Sequence, residues 1–333
     1  MKIGKISENV LKRSVIKYID KNSDDVIKGA EIGSDCAFLS WDSQSLAVSS
    51  QTFSLPVLEG TKYALYAALN NLAASGMQAV AITVAVTLPG DAQEAKLQEI
   101  MKQLRKICKE YSVQIVGGHT EVTTSVNIPV ITITAFGKPL DYETGYVDRE
   151  NVKPGQAIVM TKWIGLEGTA ILAKEKAEQL LTRYPAVLVR EAQGFEKYLP
   201  ILPEAATALK SGVCAMHDVR NGGIFGALFE LSRSTGVGLS VDLKQIPVKQ
   251  ETIEICEFFD INPYELLSGG CLLLVTEDGE ALVDALEEEN IPAAVIGRMM
   301  PDNDKIVVNG EETRFLEPAK PDEIYKINFG PDM

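Results

Sequence analysis

The chain has 333 residues, of which 46% are hydrophobic and 23% are charged, so it can bury a sizeable core and is long enough for two domains. Its net charge of −14 argues against a nucleic-acid or anionic-membrane partner, since both require a basic surface. The five cysteines are scattered without a C-x-x-C pair, and there are only two histidines, which argues against disulfides, a zinc site or a His-rich metal site. No stretch approaches the roughly 20 apolar residues of a membrane helix, and no signal peptide is recognisable, so we expect a soluble, cytoplasmic protein.

The first part of the chain alternates between strand and helix patterns. Apolar residues at helical spacing predict helices over 7–19, 61–75 and 92–111. Runs rich in β-branched residues predict strands near 36–39, 46–50, 80–88, 113–116 and 128–137. This order predicts an α/β domain with a mixed sheet.

Two adjacent glycines, Gly117 and Gly118, follow an apolar run and precede His119, Thr120 and Glu121. Glycine permits positive φ angles and the close approach of another group, so we expect a turn here. A turn that presents polar side chains at the end of a strand is a common place for phosphate or substrate. A hairpin turn with a polar tip explains the pattern equally well, and spacing alone does not decide between the two.

Two adjacent asparagines, Asn70 and Asn71, lie inside the helix predicted over 61–75. Asparagine is a poor helix former, and the rest of this helix is rich in Ala and Leu. A partly exposed helix face would explain the pair, but we favour a polar site that opens onto this helix.

A polar stretch over 138–155, with Pro139 and Gly155 near its ends, predicts a domain boundary. We divide the chain into an N-terminal domain over 1–150, a C-terminal domain over 151–320 and a tail over 321–333. The proline-containing tail is expected to be loosely held.

A second glycine pair, Gly222 and Gly223, follows Asp218 and Arg220 and leads into a predicted helix. Free backbone N–H groups and the positive end of the helix dipole favour an anion there, and Arg220 would add a formal charge. The spacing is neither a Walker loop nor the Rossmann fingerprint, and helix–strand packing explains the glycines equally well. The neighbouring His217 is expected to be a buried, hydrogen-bonded histidine.

Taken in order, these motifs resemble one superfamily, typified by aminoimidazole ribonucleotide (AIR) synthetase, selenophosphate synthetase, thiamine-monophosphate kinase and the hydrogenase maturation factor HypE. The nearest likeness is a HypE-like branch described as AIR synthase-related. The resemblance rests on Gly4-Lys5-Ile6, Gly33-Ser34-Asp35-Cys36-Ala37, Asn70-Asn71-Leu72-Ala73, Gly117-Gly118-His119-Thr120-Glu121-Val122, Lys153-Pro154-Gly155, His217-Asp218-Val219-Arg220-Asn221-Gly222-Gly223 and Gly269.

The resemblance implies a PurM-like fold of class α/β (α+β): an N-terminal mixed-sheet domain that dimerises and a C-terminal α/β sandwich domain. Family members are homodimers that bind ATP in a cleft near the interface and hold Mg²⁺ with aspartates. They use ATP to phosphorylate an oxygen or a related acceptor, and HypE uses that activation to dehydrate a thiocarboxamide.

The resemblance also implies roles for particular residues. Mg²⁺ would be held by Asp35 and Asp218, and the turn at Gly117 would form a floor of the cleft opposite the second glycine pair. From their reach and chemistry, and not from the resemblance, we assign His119 or Glu121 to positioning or deprotonating the acceptor, although a histidine on a turn is more often a solvated polar residue than a catalyst. The nucleotide-binding residues would be Asp35, Gln51, Asn71, Gly117, Gly118, Thr120, Asp218, Arg220, Gly222 and Gly223.

Two departures from the family pattern bear on the metal. Gln51 and Asn71 stand where the family usually has aspartates. Their amide oxygens hold Mg²⁺ less strongly, and the two missing charges cost several kcal/mol even at an effective dielectric of about 20. The chain also ends at Met333 without the terminal cysteine of HypE, and it lacks the cysteine or selenocysteine loop of selenophosphate synthetase, so neither reaction transfers directly.

Two hypotheses follow. The chain is an ATP-dependent, HypE-like enzyme that acts on an unidentified acceptor, or it is a degenerate member that binds a nucleotide or a maturation partner without turnover.

Overall fold

The computed structural model describes residues 8–19, 23–41, 44–57, 59–141, 145–147, 149–318 and 320–329. The elements of the first half are α1 (Glu8–Ser14), β1 (Val26–Lys28), β2 (Ala37–Trp41), β3 (Gln44–Phe53), α2 (Gly60–Ala73), β4 (Met77–Pro89), α3 (Glu94–Glu110), β5 (Gln114–Thr123) and β6 (Val130–Pro139). The three predicted helices of this half are present, and Ser7, the predicted cap of the first, lies outside the described residues.

The second half is richer in helix than the first, with seven described α-helices against three. Its elements are β7 (Ala157–Thr161), α4 (Leu166–Glu175), α5 (Ala177–Leu180), α6 (Ala186–Gln193), α7 (Leu202–Lys210), β8 (Ala215–Val219), α8 (Gly223–Thr235), β9 (Gly238–Asp242), α9 (Gln250–Phe259), β10 (Cys271–Thr276), α10 (Gly279–Glu288), β11 (Ala293–Met300), β12 (Lys305–Asn309) and β13 (Glu312–Phe315).

The strands form two mixed sheets. The first has the order β1-β2-β3-β6-β4-β5, and only its β4–β5 pair is parallel. The second has the order β13-β12-β9-β11-β7-β10-β8, and only its β9–β12 pair is parallel. The α/β class with mixed sheets is therefore confirmed. The predicted boundary at residue 150 falls between the two sheets and stays a prediction.

The core follows from the periodicity of the chain. Strand β4 alternates buried and half-buried residues, so Ile82 and Val84 point to one face of the sheet, where helices α2 and α3 pack. Helix α2 buries Leu72 against that face, and the same hydrophobic cluster continues to Ile171 on α4 and Ile255 on α9. The N-terminal sheet therefore shares apolar packing with helices of the second half, which holds it in a defined position relative to them.

The prediction of a turn at Gly117 and Gly118 is wrong, because both residues lie inside the continuous strand β5. The ladder with β4 slips at this point, which leaves Val116 as the extra residue of a β-bulge. Gly118 has a φ of +151°, and a Cβ there would collide with the carbonyl oxygen of Val84. Gly118 thus serves the close approach of two strands and not a change of chain direction, whereas a Cβ at Gly117 would meet no atom within 4 Å.

The expectation of a loosely held tail is also wrong for its first residues. Asp322 is only 3% exposed, Ile324 is buried, and the short 3-10 helix Glu323–Lys326 packs on the body of the protein. The acidic side chains find backbone donors, among them the N–H of Asn262, which donates to Glu323. Composition alone does not reveal such partners.

Among the helices within the described ranges, none has the length and apolar character required to cross a bilayer.

Candidate functional site

A cleft of about 530 Å³ opens where the N-terminal sheet meets the β8–α8 segment. Five residues predicted from the sequence line it: Asp35, Gln51, Asn71, Asp218 and Arg220. They come from the segment before β2, from β3, from α2 and from the end of β8. The fold thus gathers residues that are up to 185 positions apart into one polar cavity.

Two cationic side chains, Arg149 and His217, contact the carboxylate of Asp35. Its Oδ2 accepts a hydrogen bond from Arg149 Nη2 at 2.5 Å and lies 3.1 Å from His217 Nδ1. Burial by itself raises the pKa of Asp35, but the charges of His217 and Arg149 outweigh it and lower that pKa to about 2. Burial lowers the pKa of His217, but Asp35 raises it to about 9. At neutral pH this pair is therefore a carboxylate and an imidazolium ion.

The same histidine connects Asp35 to another acid of the cleft. His217 is buried, as predicted, and its Nε2 lies 3.4 Å from Oε2 of Glu230, which also lines the cleft. The imidazolium ring therefore lies between two carboxylates, and one of them, Asp35, is predicted to hold a metal.

Asp218 is the acid of the cleft with an unsatisfied oxygen. It is buried, and among the described residues its Oδ1 has no hydrogen-bond partner. Burial and, to a lesser degree, the charge of Asp35 raise the pKa of Asp218 to about 7. A buried carboxylate oxygen without a partner costs free energy, and a cation would satisfy it.

The donor set fits a Mg²⁺ ion that is held together with a phosphate. Within the described ranges there is no group of three or more His, Cys, Asp or Glu that would hold a metal without further ligands. Mg²⁺ usually takes one or two protein carboxylates and completes its shell with water and phosphate oxygens. Asp35 and Asp218 supply that number.

Gln51 and Asn71, the two amides expected at aspartate positions of the family, have different surroundings. Asn71 Nδ2 donates to Ser49 Oγ at 3.0 Å and to the carbonyl oxygen of Asp35 at 3.4 Å, so it is part of the cleft wall. The side chain of Gln51 makes no hydrogen bond with the part of the chain that the structure describes. The Asn71 side chain is therefore fixed by its amide nitrogen, whereas no described residue fixes that of Gln51.

The predicted anion site at the second glycine pair already has protein partners. Arg220 forms two hydrogen bonds with the carboxylate of Glu167, at 2.9 and 3.1 Å. The N–H of Gly222 donates to Asp322 Oδ2 at 2.7 Å. Gly223 packs so closely on the backbone of Tyr264 that a Cβ would collide with it, which is the helix packing role of the glycines. Neither glycine lines the cleft.

The remaining predicted residues do not reach the cleft within one chain. Gly117, Gly118, His119, Thr120 and Glu121 lie on β5, at the opposite edge of the sheet from β2 and separated from β3 by two strands. The side chains of His119 and Glu121 are 72% and 52% exposed and lie 3.5 Å apart. The prediction that this segment forms the floor of the cleft opposite Asp218 is wrong for a single chain.

Sequence reasoning missed the residues that support the cleft. Arg149, Glu230, Glu167 and Asp322 stand in no recognisable motif, because their partners are distant in sequence. A charged residue in a predicted linker was the only signal for Arg149. Asp322 offered none, since an acid in a proline-containing tail is typical of an exposed segment.

This chain has two mixed sheets and an acidic cleft where the first sheet meets the β8–α8 segment, which is the two-domain PurM-like architecture. The chain belongs to the AIR synthase-related family: residues 33–138 match the model described as AIR synthase related protein, N-terminal domain, and residues 153–309 match the C-terminal domain of the same description. The family resemblance drawn from the sequence is confirmed.

Relatives of known sequence agree with this assignment. A putative hydrogenase expression/formation protein of Methanocaldococcus jannaschii is 24% identical over 92% of this chain and 91% of its own length. The carbamoyl dehydratase HypE of Azotobacter vinelandii is 24% identical over 73% of this chain and 70% of its own length.

Solved structures share the fold. HypE in the crystal structure of a HypE–HypF complex superposes with a TM-score of 0.74 at 20% identity, over 93% of this chain and 99% of the other. HypE in complex with ATP superposes with a TM-score of 0.72 at 17% identity, over 95% of each chain.

Proposed function

We propose that this chain binds ATP with Mg²⁺ in the cleft and uses it to activate an unidentified acceptor, by phosphoryl transfer or dehydration, as an enzyme of the HypE-like type. The observation that carries the proposal is the pairing of Asp35 with Asp218 in one cleft, where Oδ1 of Asp218 has no partner among the described residues. Relatives described as carbamoyl dehydratase and a HypE structure with bound ATP support the same chemistry.

The residues of the cleft define what the protein would contribute. Bound Mg²⁺ would neutralise charge on the phosphates, which phosphoryl transfer needs more than covalent help. Asp35 and Asp218 would hold the ion, and Gln51 would offer a carbonyl oxygen to it. His217, fixed between Asp35 and Glu230, would keep the orientation of Asp35.

Titration calorimetry with ATP, with and without Mg²⁺, tests this proposal together with an assay of ATP hydrolysis. The wild type is expected to bind ATP more tightly with Mg²⁺, and Asp218→Asn to lose at least about tenfold of that gain. Unit charges 4 Å apart interact by about 4 kcal/mol at an effective dielectric of 20, and about 1.4 kcal/mol already corresponds to tenfold.

Asp242→Asn, at an exposed cap, is the control and should behave as wild type. ATP binding that ignores Mg²⁺, without hydrolysis, would contradict the enzyme proposal.

A second candidate function is nucleotide binding without turnover. The observation that favours it is the position of Asn71, whose amide donates to Ser49 and to the carbonyl oxygen of Asp35. An amide that is fixed in the wall by its own hydrogen bonds brings no negative charge to the site, so the metal site has fewer charges than the family pattern implies. Mg²⁺-independent binding in the experiment above would support this candidate.

We also propose that the protein is a homodimer joined through its N-terminal sheet. Strand β5 is an edge strand whose Val116 and Val122 are exposed, and an uncovered edge of this length favours pairing with another chain. A role for His119 or Glu121 in the reaction would then require a second copy, since both lie on this edge. The HypE–HypF complex supports a protein partner as a further possibility for this chain.

A further inference from the structure

Arg149 lies in the connection between the two domains and contacts both. It begins the short 3-10 helix Arg149–Asn151, in the stretch between the two family matches, and its side chain is buried. The connecting segment is thus anchored at one residue whose guanidinium group points into the protein.

The guanidinium group distributes its donors over the two sides of the cleft. Towards the N-terminal side it donates to the carbonyl oxygen of Gly33 and to Oδ2 of Asp35. Towards the C-terminal side it donates to the carbonyl oxygen of Met216 at 2.9 Å and to Ser234 Oγ at 3.2 Å. A planar group with five N–H donors in a fixed fork can make these contacts at once, and an ammonium group cannot reproduce their geometry.

Arg149 approaches Asp35 from the side away from the cleft. Asp35 lines both the cleft and a second polar pocket of about 180 Å³, whereas Arg149 lines only the second pocket. The contacts of Arg149 and of His217 with Asp35 both use Oδ2, and within the described ranges neither uses Oδ1. This arrangement holds the carboxylate in place and keeps one oxygen available for a ligand.

We propose that Arg149 is a positioning residue that fixes the carboxylate of Asp35 relative to Asp218, and thereby sets the geometry in which the cleft takes nucleotide-bound Mg²⁺. The inference rests on the proposed function, because Arg149 would act through Asp35, one of the two acids proposed to hold the metal. Groups that hydrogen-bond to a metal ligand orient it, and their loss typically lowers metal affinity by about 10–100-fold.

Two variants separate positioning from charge. Arg149→Lys keeps the positive charge and loses the fork, so it should reduce the Mg²⁺-dependent gain in affinity for a non-hydrolysable ATP analogue by about tenfold or more. Affinity for the analogue without Mg²⁺ should stay within about twofold of wild type. Arg149→Met removes the charge and the fork together, so a positioning role predicts a loss at least as large, whereas a purely electrostatic role predicts tighter binding because the negative charge of Asp35 is no longer screened.

The measurements are calorimetric titrations of the analogue with and without Mg²⁺, and electron paramagnetic resonance of Mn²⁺ in the presence of the analogue. Arg183→Met, at an exposed ion pair with Glu257, is the control and should match wild type in both. A thermal melt of each variant ensures that the comparison uses folded protein, and Arg149→Lys is the variant on which the conclusion depends if Arg149→Met does not fold.

The outcomes separate this inference from the proposed function. If the wild type shows no Mg²⁺-dependent gain, the proposed function fails and this inference fails with it. If the wild type shows the gain and Arg149→Lys keeps it, only the positioning role of Arg149 is overturned. Tighter Mn²⁺ binding in Arg149→Met, with an unchanged Arg149→Lys, would likewise overturn positioning in favour of charge screening.

Discussion

The amide nitrogen of Asn71 lies within hydrogen-bond distance of Ser49 Oγ and the carbonyl oxygen of Asp35, whereas the amide of Gln51 makes no hydrogen bond with any described residue. Both residues are expected at aspartate positions of the family, yet only Asn71 is a donor in the wall. An acceptor-only carboxylate at position 71 would face the carbonyl oxygen of Asp35 without a proton between them. The two departures from the family pattern are therefore not equivalent.

This difference leads to a prediction for a matched pair of variants. Asn71→Asp should lower the free energy of unfolding by about 1–3 kcal/mol, because the buried Ser49 Oγ loses the donor Asn71 Nδ2, while the carbonyl oxygen of Asp35 keeps only the hydrogen bond from Ser49 Oγ. Gln51→Asp should leave stability nearly unchanged and increase Mg²⁺-dependent ATP affinity by about tenfold or more, because a carboxylate is added beside Asp35 and Asp218. Urea denaturation and calorimetry measure the two quantities. No gain in metal affinity for Gln51→Asp would mean that the metal site is not at this position.

At the scale of elements, the start of helix α8 and the tail depend on each other. One carboxylate of Asp322 accepts hydrogen bonds from the backbone N–H groups of Gly222 at 2.7 Å, Leu267 at 3.1 Å and Ile324 at 2.9 Å. The helix start that was predicted to bind a ligand anion is thus capped by an acid of the same chain. The positive end of the helix dipole explains why an acid is favoured there.

Asp322→Ala is predicted to destabilise the fold, because it leaves the buried N–H groups of Gly222 and Leu267 without an acceptor, at a cost of about 1–3 kcal/mol each. Asp278→Ala is the control. Asp278 accepts from Ala281 at the exposed N-terminus of α10, and loss of such a cap costs about 1 kcal/mol. Chemical denaturation of both variants gives the comparison. Equal losses would show that Asp322 is an ordinary cap and does not hold the tail.

At the scale of the whole molecule, one hydrophobic cluster joins the first sheet to helices of the second half, and an acidic cleft lies where that sheet meets the β8–α8 segment. The cluster that contains Leu72 of α2 continues into Ile171 of α4, so the N-terminal and C-terminal parts do not have separate cores. Strand β5 is an edge strand that β4 and β6 separate from β3, the strand that contributes Gln51 to the cleft, and its Val122 is 61% exposed. The proposed dimer interface and the cleft are therefore on different parts of the single chain.

Val122→Lys is expected to weaken the proposed homodimer, because it places a charge on the edge that would be covered by a second copy. Sedimentation velocity at micromolar concentrations should give a dimer for the wild type and mainly monomer for the variant. Val187→Lys, at a valine of helix α6 that is 52% exposed, is the matched control and should remain dimeric. A monomeric wild type at these concentrations would contradict the dimer proposal.

The sequence by itself determined the helices and most strands of the first half, the α/β class and the family, because helical and strand periodicity are local properties and the order of the motifs is written in the chain. It also identified Asp35, Gln51, Asn71, Asp218 and Arg220, which the fold gathers in one cleft. Only the tertiary structure decided that Gly118 lies in a bulged strand, because that depends on how closely β4 approaches. It also decided that Arg149 pairs with Asp35 and that Asp322 accepts the N–H of Gly222. The partner of a buried charge is set by long-range packing and not by neighbours in sequence.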